Sequence, residues 1–346
     1  MPETYERRDY NLVGAEGKRA EERGLAAARW YSCPVPRARL KELSQKRDGP
    51  AMRDTLIWFA ALGASGWLGF HFWGTWWAVP AFFVYSVLYG GITDSRWHEC
   101  GHGTAFRSRW MNDVIYQLAS FMVMREPTPW RWSHTRHHAD TIIVGRDPEI
   151  AVPRPPDLLG LALNVFALKS GFMEFLKVAR HVTGRLTDAE KTYIPETEWP
   201  RVFRTARIWG LVYAAVIVVA VASRSILPLM YVGLPSFLGA WLVPFFGLTQ
   251  HAGLAEDVLD HRLNTRTVYM NPLFRFLYWN MNYHLEHHMF PLVPYHALPA
   301  LHAEMKDDTP PAYRGVVAAY REIIPAIWRQ RKDPGYHVVR VLGMGR

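Results

Sequence analysis

The chain has 346 residues, 49% of them hydrophobic and 14% aromatic, with a formal net charge of +9. Its two cysteines, Cys33 and Cys100, exclude a disulfide framework and a four-thiolate iron–sulfur cluster, so any electrons it uses come from another protein. A mean hydropathy of -0.10 conceals a strong segregation of charge along the chain, which only a reading in chain order brings out.

Residues 1–53 are polar and basic, carrying Lys18, Arg19, Arg23, Arg29, Arg37, Arg39, Lys41, Lys46, Arg47 and Arg53. The positive-inside rule puts this segment in the cytoplasm as a solvated or lipid-surface arm. No basic module interleaved with aromatics points to nucleic acid. Glu3, Glu6, Arg7 and Arg8 do not make the charged-then-apolar layout of a cleavable signal peptide.

Between Asp54 and Asp94 there is no Asp, Glu, Lys or Arg. That run is long enough for two membrane helices of about 20 residues each, predicted at 55–72 and 76–93. Trp73, Trp76 and Trp77 in the turn between them suit the non-cytoplasmic interface. The second span then returns to the cytoplasm and delivers His98 and His102 at the inner surface. Residues 110–124 carry Asp113 and are short for a span, and read as an interfacial or re-entrant helix. Pro127, Pro129 and Ser133 mark the entry to a helix bearing His134, His137 and His138.

Residues 158–180 mix apolar positions with Lys169, Glu174, Lys177 and Arg180, as an amphipathic helix on the membrane surface or against the cap would. Further spans are predicted at 208–223 and 226–247, the last ending at Gln250 and His251. Residues 54–305 thus read as an all-α integral membrane domain of about four transmembrane helices under a cytoplasmic helical cap, and 306–346 as a cytoplasmic tail. Every clustered histidine then lies on the cytoplasmic side.

The third cluster, His284, His287 and His288, has spacings of three and four residues, which puts three imidazoles on one helix face. With His98, His102, His134, His137, His138 and His251 the candidates number nine. Imidazole binds iron, zinc, copper and nickel well, and nine exceed the needs of one ion, so two metal ions follow. A structural zinc site would use about four ligands, normally including cysteine. His98-Glu99-Cys100-Gly101-His102 also matches the H-E-x-x-H pattern of zinc proteases, with Glu99 as general base, but that reading leaves the other seven histidines unexplained. A membrane metal-binding or transport protein is the non-enzymatic alternative, and it lacks the intramembrane charges ion pathways use. Glu99, Asp147 and Glu286 are candidates to orient imidazoles by accepting their free N–H groups. His261, His296 and His302 read as ordinary polar residues.

His-x-x-x-His at 98–102 and His-x-x-His-His at both 134–138 and 284–288 resemble the three histidine boxes of the membrane fatty acid desaturase superfamily, over roughly residues 55–305. The resemblance includes the context Asn282-Tyr-His-Leu-Glu-His-His-Met-Phe-Pro291 and Pro294-Tyr-His-Ala-Leu-Pro299. It implies two non-haem iron ions held largely by histidines, dioxygen as co-substrate, and attack on unactivated C–H bonds. It supports His251 as a further ligand, and it implies electrons from a ferredoxin, rubredoxin or cytochrome b5. The expected activity is insertion of a C=C bond into an acyl chain, in a bacterial inner membrane; hydroxylation is the alternative outcome on the same scaffold. The three residues between His98 and His102 depart from the stearoyl-CoA type, and no haem-binding His-Pro-Gly-Gly segment is present. The pattern is similar to bacterial members acting on small metabolites, including the rhizobial dihydrorhizobitoxine desaturase group.

Overall fold

The computed structural model describes residues 8–342, so Glu3, Glu6 and Arg7 lie outside the described residues. The regular elements among the described residues are all helices, with only two isolated bridges, Thr267 to Tyr283 and Val268 to Tyr313, as extended pairings. The apolar charge-free stretches can hide their backbone polar groups from lipid or core only by helical hydrogen bonding, which accounts for this uniformity.

Helices α1 (Ala15–Glu22) and α2 (Arg37–Leu43) precede α3 (Asp48–His71). At about 1.5 Å per residue, the 24 residues of α3 reach roughly 36 Å. It starts at Asp48 and not at Thr55, because an acidic first turn favours a helix N-terminus. The Asp48 carboxylate also accepts from Ser108 N and Oγ at 2.9 and 2.8 Å, pinning this end to the loop that follows His102.

The predicted second span and the first histidine pair belong to one rod: α4 (Ala78–Ser86), a π turn (Val87–Gly91) and α5 (Thr93–His102), closed by Gly103 at φ 67°. In the π turn the Leu88 carbonyl accepts from Trp58 Nε1 at 2.8 Å and Thr93 Oγ1 at 3.0 Å, so side chains meet what the widened backbone leaves open. Helix α6 (Arg109–Met122) buries Ile115, Tyr116, Ala119 and Met122, exposes Trp110 and Val114, and leads back through α7 (Pro127–Ala139).

Helices α8 (Leu158–Leu163) and α9 (Leu168–Val182) meet at 75° where Ala167 is left-handed. A short α10 (Asp188–Lys191) precedes α11 (Trp199–Ala222), which starts before the predicted Ile208 because Arg201, Arg204 and Arg207 extend the helix in polar residues that an apolar window does not register. Its Ala206 and Trp209 pack on Val178 of α9. The predicted span at 226–247 is not one helix but three: α12 (Leu227–Tyr231), α13 (Leu234–Leu238) and α14 (Leu242–His251). Pro228, Gly233 at φ 101° and Pro235 interrupt it, since proline lacks the N–H a continuing helix needs. Gly239 lies so close to the π turn that a Cβ there would stand 1.8 Å from the Ser86 carbonyl oxygen, which lets α13 reach the α4 rod.

Among the described residues, the segment Glu196–Ala222 is long and apolar enough to cross a membrane as a straight helix. The bent α8–α9 pair is a second such segment if taken as one. The four predicted spans are therefore not matched by four uninterrupted apolar helices. The second is broken by the π turn and the fourth by its prolines and glycine.

The cap is completed by α15 (His261–Asn264), α16 (Pro272–Leu277), α17 (His284–Met289), α18 (Leu298–Met305) and α19 (Val316–Gln330). Residues 306–342 contain α19, which buries Ala319 and Ile323 and whose Tyr320 hydroxyl donates to Phe245 O at 2.8 Å. Residues 8–53 also pack against the rest of the chain. Ala20 and Leu25 pack on Ile143, and the Arg8 guanidinium bridges Glu16 and Asp257 at 2.8 and 2.5 Å.

Candidate metal centre

Four elements aim histidines at one buried region. Helix α5 carries His98 and His102 one turn apart, α7 carries His134, His137 and His138, α14 ends in His251, and α17 carries His284, His287 and His288. All nine converge in two sets, within each of which the ring nitrogens lie within 4.8 Å of one another: His98, His102, His134, His138 and His287 in one, His137, His251, His284 and His288 in the other.

In the first set His134 Nε2 lies 2.7 Å from His98 Nε2, 3.1 Å from His102 Nε2 and 3.1 Å from His138 Nε2, and His138 Nε2 lies 3.2 Å from His287 Nε2. In the second, His284 Nε2 lies 3.1 Å from both His251 Nε2 and His288 Nε2. The opposite ring nitrogens point outward to acceptors: His134 Nδ1 to Glu149 Oε2, His137 Nδ1 to Asp147 Oδ2 and His251 Nδ1 to the Asn264 carbonyl, each at 2.8 Å. A neutral imidazole carries one proton, and these acceptors claim it on Nδ1. On these three rings the inward nitrogen is then a bare lone pair, the form that binds a cation. Two nitrogens at about 2.1 Å from an ion and at right angles are about 3.0 Å apart, the spacing found here. The donor set fits two metal ions.

Burial favours the neutral form of these rings: it pushes His98, His134, His138, His284, His287 and His288 well below the usual imidazole range, and His102 down to about 4, with neighbouring histidines adding to the effect. His137 differs. Burial lowers it as well, but the Asp147 carboxylate outweighs burial and raises it overall.

Of the three candidate orienting carboxylates, Asp147 meets a site imidazole directly. Glu99, raised to about 7 by burial, has Oε1 3.8 Å from His287 Nδ1, beyond hydrogen-bond reach, while its Oε2 accepts from Thr104 Oγ1 and the Tyr295 amide. Glu286 points away from the cluster. It accepts from His302 Nδ1 at 2.5 Å and Thr267 Oγ1 at 2.6 Å, because a residue next to His287 on a helix faces another side. The carboxylate the sequence did not single out for this work is Glu149, raised to about 7 by burial and held by Ser133 Oγ at 2.6 Å. Met281 Sδ, 2.8 Å from His98 Nδ1, was likewise missed, although it sits within Asn280-Met-Asn-Tyr-His284. Trp130 stacks on His134 at 4.3 Å, and Gly101 admits the ring, since a Cβ there would lie 2.3 Å from it. His261 is closer than its reading as an ordinary polar residue implied, with its ring 5.1 Å from that of His288. His302 serves Glu286, outside both sets.

A cavity of about 130 Å³ opens onto His98, His134, His137, His251 and His284. Trp97 and Trp130 wall it, and Asp94, Arg125, Arg154 and Glu256 bring charge to it. Arg125 lies 3.5 Å from Asp94, and Arg154 lies 3.2 Å from Glu256. Glu99 is absent from this lining and fully buried, which displaces its role as a protease base.

The fatty acid desaturase family model matches residues 74–320, which include all nine histidines. The chain is 27% identical over 288 residues to a Delta(9) fatty acid conjugase-like enzyme of Dimorphotheca sinuata, covering 72% of this chain and 74% of that one. It is 21% identical over 304 residues to an endoplasmic reticulum omega-3 fatty acid desaturase of Nicotiana tabacum, covering 82% and 73%. An sn-1 oleoyl-lipid 12-desaturase of Synechocystis matches at 29% identity over 103 residues, 29% of this chain and 28% of that enzyme. With the family match spanning most of the chain and every box histidine in the buried cluster, the chain belongs to the fatty acid desaturase family of oxidoreductases.

Proposed function

We propose that the chain is an oxygen-dependent desaturase that introduces a C=C bond into an acyl chain or lipid-like substrate, using two iron ions held by the five-histidine and four-histidine sets. The observation that carries this is the convergence of nine imidazoles into two buried sets, with the Nδ1 atoms of His134, His137 and His251 engaged outward. Bound iron, with dioxygen and two electrons from a ferredoxin, rubredoxin or cytochrome b5, would supply the power to remove hydrogen from an unactivated C–H bond. The protein does the rest. Asp147 and Glu149 fix the tautomer of the imidazoles they touch, and Trp97 and Trp130 shape the wall along which a methylene group is presented. Burial of the cluster keeps bulk water from the reacting carbon.

Four membrane crossings belong to the proposal, made by α3, by α4 with its π turn, by α11 and by the broken α12–α14 run. The metal centre and both termini then lie on the cytoplasmic face, in a bacterial inner membrane. Exposed Leu56, Trp67, Phe70, Trp77, Phe83, Leu211 and Val218 support the apolar belt this requires. Helix α9 lies on the surface, with Phe172, Met173 and Phe175 exposed toward lipid.

A second reading, a small polar substrate on the same scaffold, is favoured by the cavity. At about 130 Å³ it is near the ~150 Å³ that holds one benzene ring, and two ion pairs line it. Purified protein with bound iron, supplied with reductant and oxygen, is expected to consume oxygen and return an acyl lipid lighter by two hydrogens. Loss of two hydrogens from a small polar metabolite, with acyl lipids untouched, would move the assignment to the second reading. Zinc in place of iron and no oxygen uptake would reject both.

A further inference from the structure

The substrate cavity is one approach to the histidine cluster, and a second, separate approach ends at the surface. His261 is buried, 3% exposed, with its ring 5.1 Å from that of His288. On its other side Trp30 stacks on it, nearly parallel at 7° and with centroids 4.3 Å apart. Trp30 is half-buried and belongs to a recess of about 480 Å³ bounded by Arg29, Trp30, Tyr31, Ser32 and Leu259, none of which lines the substrate cavity. The stack is held from three directions. The Trp30 indole N–H donates to Ala139 O, one residue past His138, the Tyr31 amide donates to Leu259 O, and the Arg262 guanidinium covers the Tyr31 ring at 3.5 Å. His261 Nδ1 has no hydrogen-bond partner although buried, so neither the stack nor the burial is explained by a polar contact at that atom.

We infer that Trp30 and His261 are the route by which single electrons reach the metal centre from a carrier protein docked at this recess. The inference rests on the two-iron reading above. The electron crosses from the carrier through the two stacked π systems to His288 and its metal; neither ring is itself oxidised or reduced, and no bond or proton moves. Each encounter oxidises the carrier by one electron and reduces the centre by one, so a turnover takes two encounters. The carrier is a small redox protein with an acidic rim. Arg29, Arg37, Lys41, Lys46 and Arg47 are exposed in the same segment, whereas its exposed acid, Glu42, is paired with Arg39 at 2.7 Å. A basic surface steers and holds an acidic partner.

The test uses full-length, iron-loaded protein in detergent, with reduced plant-type [2Fe–2S] ferredoxin, rubredoxin and cytochrome b5 as probes and dithionite as the small-molecule control. Rapid mixing follows reduction of the centre, independently of turnover. Trp30→Ala is expected to slow reduction by the effective carrier by at least about tenfold, while iron content and dithionite reduction stay at wild-type values. Trp30→Phe, which keeps a stacked ring, should retain most of the rate. Arg29→Glu should weaken carrier binding and flatten its salt dependence without altering dithionite reduction. Wild-type carrier rates in both Trp30 variants, or reduction of the wild type by dithionite but by none of the three carriers, would overturn the inference. If Trp30→Ala loses iron, Arg29→Glu decides the matter: an unchanged carrier rate and an unchanged salt dependence would overturn the inference. A wild-type protein that binds no iron would instead bring down the two-iron reading itself.

Discussion

His181 is as deeply buried as any residue of the metal centre, yet it is built the opposite way. Its Nδ1 meets Glu126 Oε2 at 2.5 Å and its Nε2 meets Glu190 Oε1 at 3.0 Å, tying α9 to the start of α7 and to α10. Burial works to lower its pKa, but the two carboxylates outweigh burial and raise it, which favours a proton on each nitrogen. Burial likewise works to raise Glu190, but His181 and the Thr187 donors outweigh it and take the carboxyl down to about 2. In the cluster, carboxylates hydrogen-bond only His134 and His137, each on one side, and the inward Nε2 atoms crowd against one another. Burial alone therefore does not say what a histidine does. One ring enclosed by acids is a cation that fastens helices; nine sharing few acids are a vessel for cations.

His138→Ala or His287→Ala should strip iron to one ion or less per chain by elemental analysis and abolish oxygen-dependent turnover. His181→Ala should leave the iron stoichiometry of the folded protein unchanged but lower stability by about 3–5 kcal/mol, read as melting temperature, because two buried carboxylates lose their partner. The same contrast has a pH signature. A group whose folded pKa is raised gives stability that is complete below its unfolded value near 6.5 and is lost as pH rises through the folded value. Melting temperature in wild type should therefore fall as the pH is raised above that point, and His181→Ala should remove this component.

Smaller effects sharpen the contrast. Asp147→Asn keeps the shape but removes the charge behind His137, and should weaken metal binding by about 10–100-fold in a chelator competition, whereas Glu286→Gln, which touches no cluster ring, should leave it unchanged. Gly101→Ala forces Trp130 from its place over His134 and should cost about 1–3 kcal/mol, with a weaker change in metal affinity than Asp147→Asn.

The histidine sets were legible because helical spacing of three and four residues makes a shared face, and His251 because it ends an apolar run beside them. Asp147 was legible, and Glu149 was not, because its target lies fifteen positions back across an irregular turn. Glu286 misled for the converse reason: adjacency along a helix is divergence in space. Hydropathy found where apolar mass lies but carries no register, so it joined α12, α13 and α14 into one span. Pro228 and Pro235 were visible there and marked the breaks. The packing of residues 8–53 over the cap was invisible, since it depends on ion pairs such as Arg8 with Asp257 between distant parts of the chain.

The π turn at Val87–Gly91 amounts to one extra residue wound into an otherwise α-helical rod. Removing a single residue there would turn everything beyond it by about 100° and shorten the rod by about 1.5 Å. His98 and His102 would then swing out of the set they share with His134, though neither was touched. In this turn the length of the chain acts as an instruction: it sets the angular phase at which the first pair of rings meets the other seven.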